Sequence, residues 1–364
     1  MQSHQLKRRI SYKRCLVCAQ EFPVADEQRS CPTDGALLVS VIEDPFLGLV
    51  LDGKYEIQSL IGAGGWSRVY KAKHLALDQF VAIKVLDAEL VSDPLHISHF
   101  QNEARASNAL VHPNIVYVYD HGILPQPFIV MEYIEGRTLS QIIDESGCPS
   151  LETAMEVFSK VCKAMAHAHG KGFIHRDLTL RNVMLTTDSN EVKVLDFGLV
   201  SINGQKLTQT GETLGSPPYM SPEQCRGEKL EPSADVYSFG CVMYATLTGE
   251  GPFEGQSAVE SMYKHLNKVA PLITDARPDL KFPRGLDTVI AKALAKSKAD
   301  RYQSMDKLLA DLERVQSGRQ RLQILLRKVP SYRQTIKFLA RISMIGNTVS
   351  LVLFLLYQFV MLLR

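Results

Sequence analysis

The octapeptide HRDLTLRN at residues 175–182 decides how the rest of this sequence is interpreted. It places a carboxylate, Asp177, and a carboxamide, Asn182, five residues apart between two apolar runs. A carboxylate in such a loop can orient a hydroxyl nucleophile, and a carboxamide can hold a divalent ion against phosphate groups. The strand-like run at 192–195 is followed by Asp196 in Asp-Phe-Gly, which offers a second metal position. The segment therefore indicates phosphoryl-transfer chemistry.

Composition bounds the remaining possibilities. The chain has 364 residues, 45% of them hydrophobic, which is enough for a sizeable core. The net charge of +2 gives no global argument for nucleic-acid binding, so no nucleic-acid partner is expected. The seven cysteines are scattered and odd in number, which favours a reducing compartment over a disulfide framework. No apolar run lies in the first thirty residues, so no secretory signal is predicted.

Three cysteines and an aspartate near the N-terminus are spaced like the ligands of a small zinc ribbon. Cys15 and Cys18 lie two residues apart, and Cys31 and Asp34 repeat that spacing after twelve intervening residues. Two such turns can close a tetrahedral site, and the metal would supply folding energy that so short a segment lacks. The fourth ligand is open between Asp34, His4 and a group from elsewhere. The competing interpretation is a tail with incidental cysteines.

A glycine-bearing turn and an isolated lysine precede the octapeptide. Residues 62–65 lie between two strand-like runs, where backbone amides can approach phosphates closely. No helix pattern follows the turn directly, which argues against a dinucleotide-binding fold. Lys84 is embedded in the apolar strand at 80–86, and a buried lysine needs a partner. Glu103, on a helix predicted to begin near Asp93, is the expected partner.

Taken together, the motifs resemble a protein kinase catalytic domain over about residues 55–315, and they are most similar to the eukaryotic-type Ser/Thr kinases of bacteria. The family's motifs occur in order: G-x-G-x-x-S-x-V at 62–69, V-A-I-K at 81–84, H-P-N-I-V at 112–116, M-E-Y at 131–133, H-R-D at 175–177, D-F-G at 196–198, S-P-E at 221–223 and D-V-Y-S-F-G at 235–240. The resemblance implies an α+β, bilobal kinase fold that uses ATP and Mg²⁺ on protein substrates.

The resemblance also assigns site residues. It implies that Lys84 contacts the ATP phosphates and pairs with Glu103, that Asp177 accepts the proton of the attacking hydroxyl, and that Asn182 and Asp196 hold Mg²⁺. The expected nucleotide-binding residues are Ile61, Gly62, Ala63, Gly64, Gly65, Val69, Ala82, Lys84, the gatekeeper Met131, and the backbone of Glu132 and Ile134.

The sequence departs from the family pattern in the catalytic loop and in the glycine-bearing turn. Thr179 stands where the Ser/Thr branch usually has a lysine, and Arg181 is expected to replace that charge, as a similarly placed arginine does in tyrosine kinases. Residues 215–223, in which Ser216 supplies the usual hydroxyl, are similar to the Ser/Thr-type segment, so Ser/Thr specificity is predicted. Ser67 replaces the third loop glycine, a change expected to leave nucleotide binding intact.

Regulation is expected at the loop between the D-F-G and S-P-E motifs. By resemblance, Arg176 pairs with an activation-loop phosphate. Among the loop threonines, Thr210 and then Thr208 are the predicted autophosphorylation sites, and a homodimer would permit the reaction in trans. Ordinary loop threonines are the alternative.

Other motif residues are predicted to be structural. Glu223 and Arg301 are expected to pair, and Asp235 is expected to hold the catalytic-loop backbone. The apolar periodicity of residues 151–169 predicts a core helix, capped by Gly170, in which His167 and His169 are structural rather than metal ligands.

The C-terminal end has the pattern of a membrane anchor. Residues 314–341 contain eight basic residues and no acidic one, and residues 344–363 are almost wholly apolar. A helix of twenty residues spans about 30 Å, the thickness of a bilayer core, and flanking basic residues favour the cytoplasmic side. The prediction is a single-pass cell-membrane protein in contact with lipid, with its kinase domain in the cytoplasm. An amphipathic or oligomerising helix is the alternative.

These patterns divide the chain into a basic tail at 1–10, a zinc-ribbon-like module at 11–40, a linker at 41–54, a kinase domain at 55–316, a basic juxtamembrane segment at 317–342 and a transmembrane helix at 343–363. The leading hypothesis is an active Ser/Thr kinase. The alternatives are a pseudokinase scaffold that acts through protein contacts of the ribbon-like module, and a small-molecule kinase of related fold. The threonine-bearing loop and the S-P-E segment disfavour the small-molecule kinase.

Overall fold

The computed structural model describes residues 10–23, 29–42, 44–64, 67–91, 93–94, 97–98, 100–101, 109–123, 125–197 and 216–328. The first element is a three-stranded antiparallel sheet in the order β2-β1-β3, formed by β1 (Ile10–Cys15), β2 (Glu21–Pro23) and β3 (Leu38–Ile42). Its two tight turns carry the cysteines of the predicted ribbon.

The N-terminal lobe of the kinase domain is a six-stranded antiparallel sheet in the order β4-β5-β6-β7-β9-β8. Its strands are β4 (Val50–Leu51), β5 (Tyr55–Ala63), β6 (Ser67–His74), β7 (Gln79–Leu86), β8 (Val118–Gly122) and β9 (Phe128–Glu132).

The two-residue period of the strands sorts the side chains of this sheet onto two faces. Val81, Ile83 and Val85 of β7 pack into one buried cluster together with Tyr70. Ala82 and Leu86 face the opposite cluster, with Val69 and Met131. Because Lys84 has the same parity as Ala82, it lies on the second face, the one that meets the catalytic loop.

Part of the predicted linker belongs to this lobe. From Asp44 onward the chain packs on the sheet: Phe46 and Leu51 are buried in the same cluster as Tyr70, and β4 pairs with β5. The turn residues of this segment do form turns, but the apolar residues between them fold inward because they have a sheet face to cover. Residues 44–54, which we call the strap, therefore pack on the sheet and are not a free linker.

The C-terminal lobe is mainly helical. Its helices are α1 (Leu139–Ser146), α2 (Leu151–Gly170), α3 (Pro222–Cys225), α4 (Pro232–Thr248), α5 (Ala258–Asn267), α6 (Ile273–Ala276), α7 (Leu286–Ala293) and α8 (Met305–Lys328). A small antiparallel sheet, β10-β11-β12, accompanies them, formed by β10 (Gly136–Thr138), β11 (Val183–Thr186) and β12 (Val192–Val194).

Two helices form the core of this lobe. Helix α2 confirms the predicted periodicity: the Ser150 side chain caps its start by accepting from the Thr153 amide, and Gly170 is its last residue rather than its cap. Helix α4 is buried along almost its whole length. A Cβ at Gly240 would lie 2.9 Å from the Leu294 side chain, so the glycine permits the close approach of these segments.

Several predicted features lie outside the described residues: most of the basic tail, with His4, and Gly65, Glu103, Thr208, Thr210 and the span at 343–363. Helix α8 continues past residue 316, and the chain divides into compact units at residues 1–312 and 313–364. Within the part of the chain that is described, no helix has both the length and the apolar character required to cross a membrane.

Candidate active site

The catalytic loop is held by a buried carboxylate on helix α4. Asp235 accepts hydrogen bonds from the backbone amides of His175 (2.8 Å) and Arg176 (2.9 Å), as the motif predicted. His169, at the end of α2, lies 2.8 Å from the same carboxylate. Burial alone would raise the pKa of Asp235, but the hydrogen bond and charge of His169 keep that pKa below its ordinary value. Asp235 therefore fixes the loop as an anion.

Hydrogen bonds orient both functional side chains of the octapeptide. The Asn182 amide Nδ2 donates to the Asp177 carbonyl at 2.7 Å, which leaves its side-chain oxygen available for a cation. The Asp177 carboxylate accepts from the Ser216 amide at 3.0 Å. The Leu195 amide donates to the Asn182 carbonyl at 2.9 Å. This last bond places Asp196, the next residue, beside the catalytic loop.

Backbone conformation at this site is unusual. Arg176 and Asp196 both have positive φ, at 69° and 50°. Non-glycine residues adopt this region at a cost, and such residues concentrate at functional sites. For Arg176 the cost is offset by the hydrogen bond that its amide donates to Asp235, and burial lowers the pKa of its guanidinium. His175 is fully buried, with Nε2 2.8 Å from the Leu195 carbonyl and its ring against Phe197, so it is a scaffold residue.

Lys84 joins the two lobes. Its Nζ lies 3.1 Å from the Asp196 carboxylate, and both groups are shielded from solvent to different extents, with 11% and 37% of the side chains exposed. The predicted pair with Glu103 lies outside the described residues. The Lys84–Asp196 contact brings a cation and the predicted metal-binding carboxylate to one point, where the lysine could bind phosphate groups directly and the carboxylate could bind them through a metal ion.

Several of the predicted nucleotide-binding residues, Val69, Ala82 and Met131, lie on one face of the N-terminal sheet. Val69 pairs with Gly62 on one side and with Lys84 on the other, and Ala82 pairs with Met131. With the partly buried Ile134 and Leu195, these side chains enclose an apolar surface next to the lysine. Gly64 closes the turn between β5 and β6 by donating to the Ser67 carbonyl at 2.9 Å, so Ser67 contributes a backbone acceptor where a glycine is common.

Glu132 contacts two separate parts of the chain, one through its side chain and one through its backbone. Its side chain forms an ion pair with Lys193 on β12, at 2.7 Å, and its amide donates to the Tyr117 carbonyl at 2.8 Å. The side chain is thus turned toward the C-terminal lobe, which is compatible with the predicted role of its backbone at the adenine edge.

The departure at Thr179 has a structural explanation. Thr179 is buried, and its hydroxyl accepts from the Arg181 amide at 3.2 Å, so it caps the 3-10 turn Leu180–Asn182. Arg181 is exposed. The threonine hydroxyl is therefore used within the loop, and the arginine is an exposed basic residue of this loop.

Glu223 and Arg301 form the predicted buried pair. Both guanidinium nitrogens donate to the carboxylate, at 2.6 and 2.8 Å, and backbone carbonyls of Ser233, Ala295 and Lys296 accept the remaining protons. A pair satisfied to this degree positions α3 below the catalytic loop, where the Gln224 side chain donates to the Arg176 carbonyl at 2.6 Å.

Two contacts were not anticipated from the motifs. The bond between the Ser216 amide and Asp177 is made by backbone, and no residue type signals it. The contact of His169 with Asp235 joins residues 66 positions apart, and the sequence indicated only that His169 lies on a core helix. In the N-terminal module the structure brings together the four predicted ligands Cys15, Cys18, Cys31 and Asp34, whose ligand atoms all lie within 4.8 Å of one another.

Comparisons with known proteins agree with this geometry. The family model described as "Protein kinase domain" matches residues 55–339. The serine/threonine-protein kinase PknB of Mycobacterium tuberculosis is 42% identical over 276 residues, which cover 74% of this chain and 44% of that protein. The serine/threonine-protein kinase pkn3 of Myxococcus xanthus is 39% identical over 289 residues, covering 77% and 53%. The chain thus spans about half the length of these curated relatives.

A solved structure supports the fold. The crystal structure of the M. tuberculosis PknI kinase domain superposes with a TM-score of 0.60 at 25% identity, covering 74% of this chain and 98% of that one. The predicted bilobal architecture is therefore confirmed. With its motifs in place around Asp177 and a family match over most of its length, the chain belongs to the protein kinase family, as a bacterial eukaryotic-type Ser/Thr protein kinase.

Proposed function

We propose that this chain transfers the γ-phosphoryl group of ATP to Ser and Thr hydroxyls of proteins. The observation that carries the proposal is the convergence of Lys84, Asp177, Asn182 and Asp196 on one point. It rests on the 3.1 Å contact of Lys84 with Asp196 and on the 2.9 Å bond that joins Leu195 to Asn182. The names of the relatives with 38–42% identity, all Ser/Thr kinases, support the same activity.

Each side chain of the site has a separate role in the proposed reaction. Asp177, whose carboxylate lies at the surface of the loop, orients the attacking hydroxyl and accepts its proton. Lys84 binds the non-transferred phosphates, and the exposed Arg181 supplies positive charge near the transferred group. Asn182 and Asp196 offer the oxygen ligands that Mg²⁺ prefers, and Mg²⁺, when bound, would neutralise phosphate charge. The apolar surface formed by Val69, Ala82 and Met131 receives the adenine.

Regulation is proposed to depend on phosphorylation of the activation loop, the segment between the D-F-G and S-P-E motifs. We propose that Thr210 and Thr208 are autophosphorylated, in trans within a homodimer, and that the phosphate pairs with Arg176. The placement of Arg176 in the loop held by Asp235 supports this assignment, because a phosphate bound there would act on the catalytic loop directly.

We also propose a location and a second metal. The apolar run at 343–363 and the basic residues before it anchor the chain in the cell membrane in a single pass, with the kinase domain in the cytoplasm and lipid as a partner. The N-terminal module binds zinc, because thiolate ligands select zinc over Mg²⁺.

The alternative is a pseudokinase scaffold that acts through protein contacts of the zinc-ribbon-like module. The observation that favours it is Thr179, which is buried and cannot take the part of the usual lysine. Against it, the described catalytic side chains are in place.

The test is autophosphorylation of the full chain in lipid nanodiscs with Mg²⁺ and ATP, mapped by mass spectrometry. Phosphate on Thr208 or Thr210 is expected, and Asp177→Asn is expected to lose at least about a hundredfold in rate. If the parent chain does not react and Thr179→Lys does, the scaffold becomes the better account.

A further inference from the structure

The N-terminal module contains a ligand set that the kinase reaction does not use. Sγ of Cys15 lies 3.3 and 3.2 Å from the two carboxylate oxygens of Asp34, and Sγ of Cys18 lies 3.5 Å from Sγ of Cys31. Zn–S bonds of about 2.3 Å and Zn–O bonds of about 2.1 Å put the ligand atoms of a tetrahedral site roughly 3.5–4 Å apart. The Cys18–Cys31 separation falls in this range, the Cys15–Asp34 contacts are a few tenths of an ångström shorter, and all four ligand atoms lie within 4.8 Å of one another, so one ion can reach the four groups.

The first turn of the module has the geometry of a metal-binding knuckle. The Ala19 amide donates to the Cys15 carbonyl at 3.0 Å, and the Cys15 amide donates to the Gln20 carbonyl at 3.0 Å. Ala19 has a φ of 60°, a left-handed conformation that costs an alanine free energy. This turn projects Cys15 and Cys18 to the same side.

The second turn repeats the first, bond for bond. The Gly35 amide donates to the Cys31 carbonyl at 2.8 Å, the Cys31 amide donates to the Ala36 carbonyl at 2.7 Å, and Gly35 has a φ of 74°. In this repeat Asp34 occupies the position that Cys18 has in the first turn. The repeated backbone, rather than residue type, identifies Asp34 as the fourth group.

Backbone amides orient the ligand side chains. The amides of Val17 and Cys18 donate to the Cys15 sulfur at 3.4 and 3.5 Å and fix its direction. The Ala36 amide donates to the Asp34 carboxylate at 3.0 Å and fixes its direction. The two donor types thus have their own orienting contacts.

The module also needs the stabilisation that a metal would supply. Its described buried apolar cluster consists of Cys15, Cys31 and Leu38, with Phe22 and Ala36 packed against it. A cluster of that size cannot offset the conformational entropy of a thirty-residue unit. Metal binding to the thiolates would add folding free energy directly.

We propose that Cys15, Cys18, Cys31 and Asp34 bind one zinc ion tetrahedrally, with the Asp34 carboxylate as the fourth ligand. This inference deepens the proposed zinc-binding module and does not depend on the kinase activity. Three thiolates exclude Mg²⁺ and Ca²⁺, so the site does not compete with the nucleotide site for metal. The carboxylate makes the ion more readily removed than from a four-thiolate site.

The experiment compares the full chain with four variants, purified with a non-thiol reductant. Zinc per chain is measured by mass spectrometry of the metal, zinc affinity by competition with a chromophoric chelator, and geometry by the visible spectrum after Co²⁺ replacement. Asp34→Ala is expected to weaken zinc binding by at least about tenfold. Asp34→Cys is expected to tighten it and to increase the sulfur-to-cobalt charge-transfer band. Cys31→Ser is expected to lose zinc.

Glu21→Ala is the matched control, since Glu21 is an acidic residue of the same module that pairs with Arg14. It should bind zinc like the parent. Equal affinity of the parent and Asp34→Ala, together with loss in Cys31→Ser, would remove Asp34 from the ligand set and leave the zinc proposal intact. A parent chain that contains no zinc, or one in which Cys18 and Cys31 form a disulfide, would overturn both the zinc proposal and the assignment of Asp34 as a ligand. Kinase activity measured on the same samples reports separately on the proposed function.

Discussion

At the scale of single residues, the catalytic loop differs from the family pattern at Thr179, which replaces the usual lysine. Thr179 is buried as the cap of a 3-10 turn, whereas Arg181, two positions later, is exposed. The loop therefore has an exposed basic side chain at Arg181, whereas the residue at the usual lysine position has a structural role. If catalysis needs one positive charge in this loop, Arg181 should supply the charge that a lysine at position 179 usually supplies.

We expect Arg181→Ala to lower kcat by roughly a hundredfold, the size of the loss when one charge-stabilising group is removed from a phosphoryl-transfer site. KM for ATP should change little, since Lys84 binds the non-transferred phosphates. Adding Thr179→Lys to this variant should restore a large part of kcat. Steady-state kinetics on a Ser/Thr peptide measures both, with Arg284→Ala as an exposed-arginine control. Wild-type kcat in Arg181→Ala would show that the arginine has no catalytic part.

A second residue-scale prediction concerns pH. His265 is fully buried, and its Nδ1 accepts from the Tyr237 hydroxyl at 2.9 Å, which in turn accepts from Lys296 at 3.0 Å. Burial, and then the charge of Lys296, lower the pKa of His265 to about 4. The unfolded chain binds a proton below about pH 6.5, so the folded state is favoured above that pH and loses stability as pH falls from 6.5 to 4.

The loss attributable to His265 is up to about 3 kcal/mol over that window. Thermal unfolding of the wild type and His265→Gln, measured between pH 7.5 and 4.5, should show a smaller fall in Tm for the variant. Glutamine retains an acceptor for Tyr237. His121→Gln, which changes an exposed histidine, should follow the wild type. Parallel pH profiles for all three proteins would exclude His265 as the source.

At the scale of elements, the strap contacts β6, the strand that carries the predicted nucleotide-binding residue Val69. Asp44 accepts from the Tyr70 hydroxyl at 2.8 Å and lies 3.5 Å from Arg68. Burial, reinforced by Asp44, raises the pKa of Tyr70, so its hydroxyl stays protonated and can donate. Val69, the residue between these two, lies on the nucleotide face. The strap therefore contacts both neighbours of Val69, a residue predicted to contact the nucleotide.

Asp44→Ala is accordingly expected to raise KM for ATP by up to about tenfold, because a hydrogen bond to a charged group contributes about 1.5 kcal/mol. kcat should change less, since Asp177 and Asn182 are untouched. Fluorescent-nucleotide titration and steady-state kinetics measure the two effects. Asp52→Ala alters an exposed ion pair with Lys54 in the same segment and should have no effect. A loss confined to kcat would contradict the proposed coupling.

At the scale of the whole molecule, the two proposed metals and the two ends of the chain are proposed to have separate tasks. The nucleotide site offers oxygen ligands and the N-terminal module offers thiolates, so each selects its own ion. The C-terminal segment is proposed to set the location. Each property can then be removed without the others.

Truncation after residue 342 is expected to move the chain from the membrane pellet to the supernatant, because it removes the apolar run that is proposed to anchor the chain. Peptide phosphorylation should persist, since the family match ends at residue 339. Carbonate-washed membrane fractions followed by immunoblotting measure the distribution. Replacing Leu353 with arginine in the full chain provides a point-variant control. A truncated chain that still sediments with membranes would refute the anchor.

The sequence by itself determined the family, the order of the catalytic motifs, helix α2 and the strands around Lys84, because hydrophobic period and motif spacing are local properties. It also indicated Asp34 among other candidates. Only the tertiary structure decided that Thr179 is a buried cap, that the strap from Asp44 packs on the sheet, that His169 contacts Asp235, and that two turns with the same hydrogen bonds bring Asp34 to the cysteines. The packing of the strap and the His169–Asp235 contact join residues distant along the chain, and the two turns are defined by backbone hydrogen bonds, which residue type does not specify. The cap made by Thr179 is local, but its burial depends on the packing around the loop.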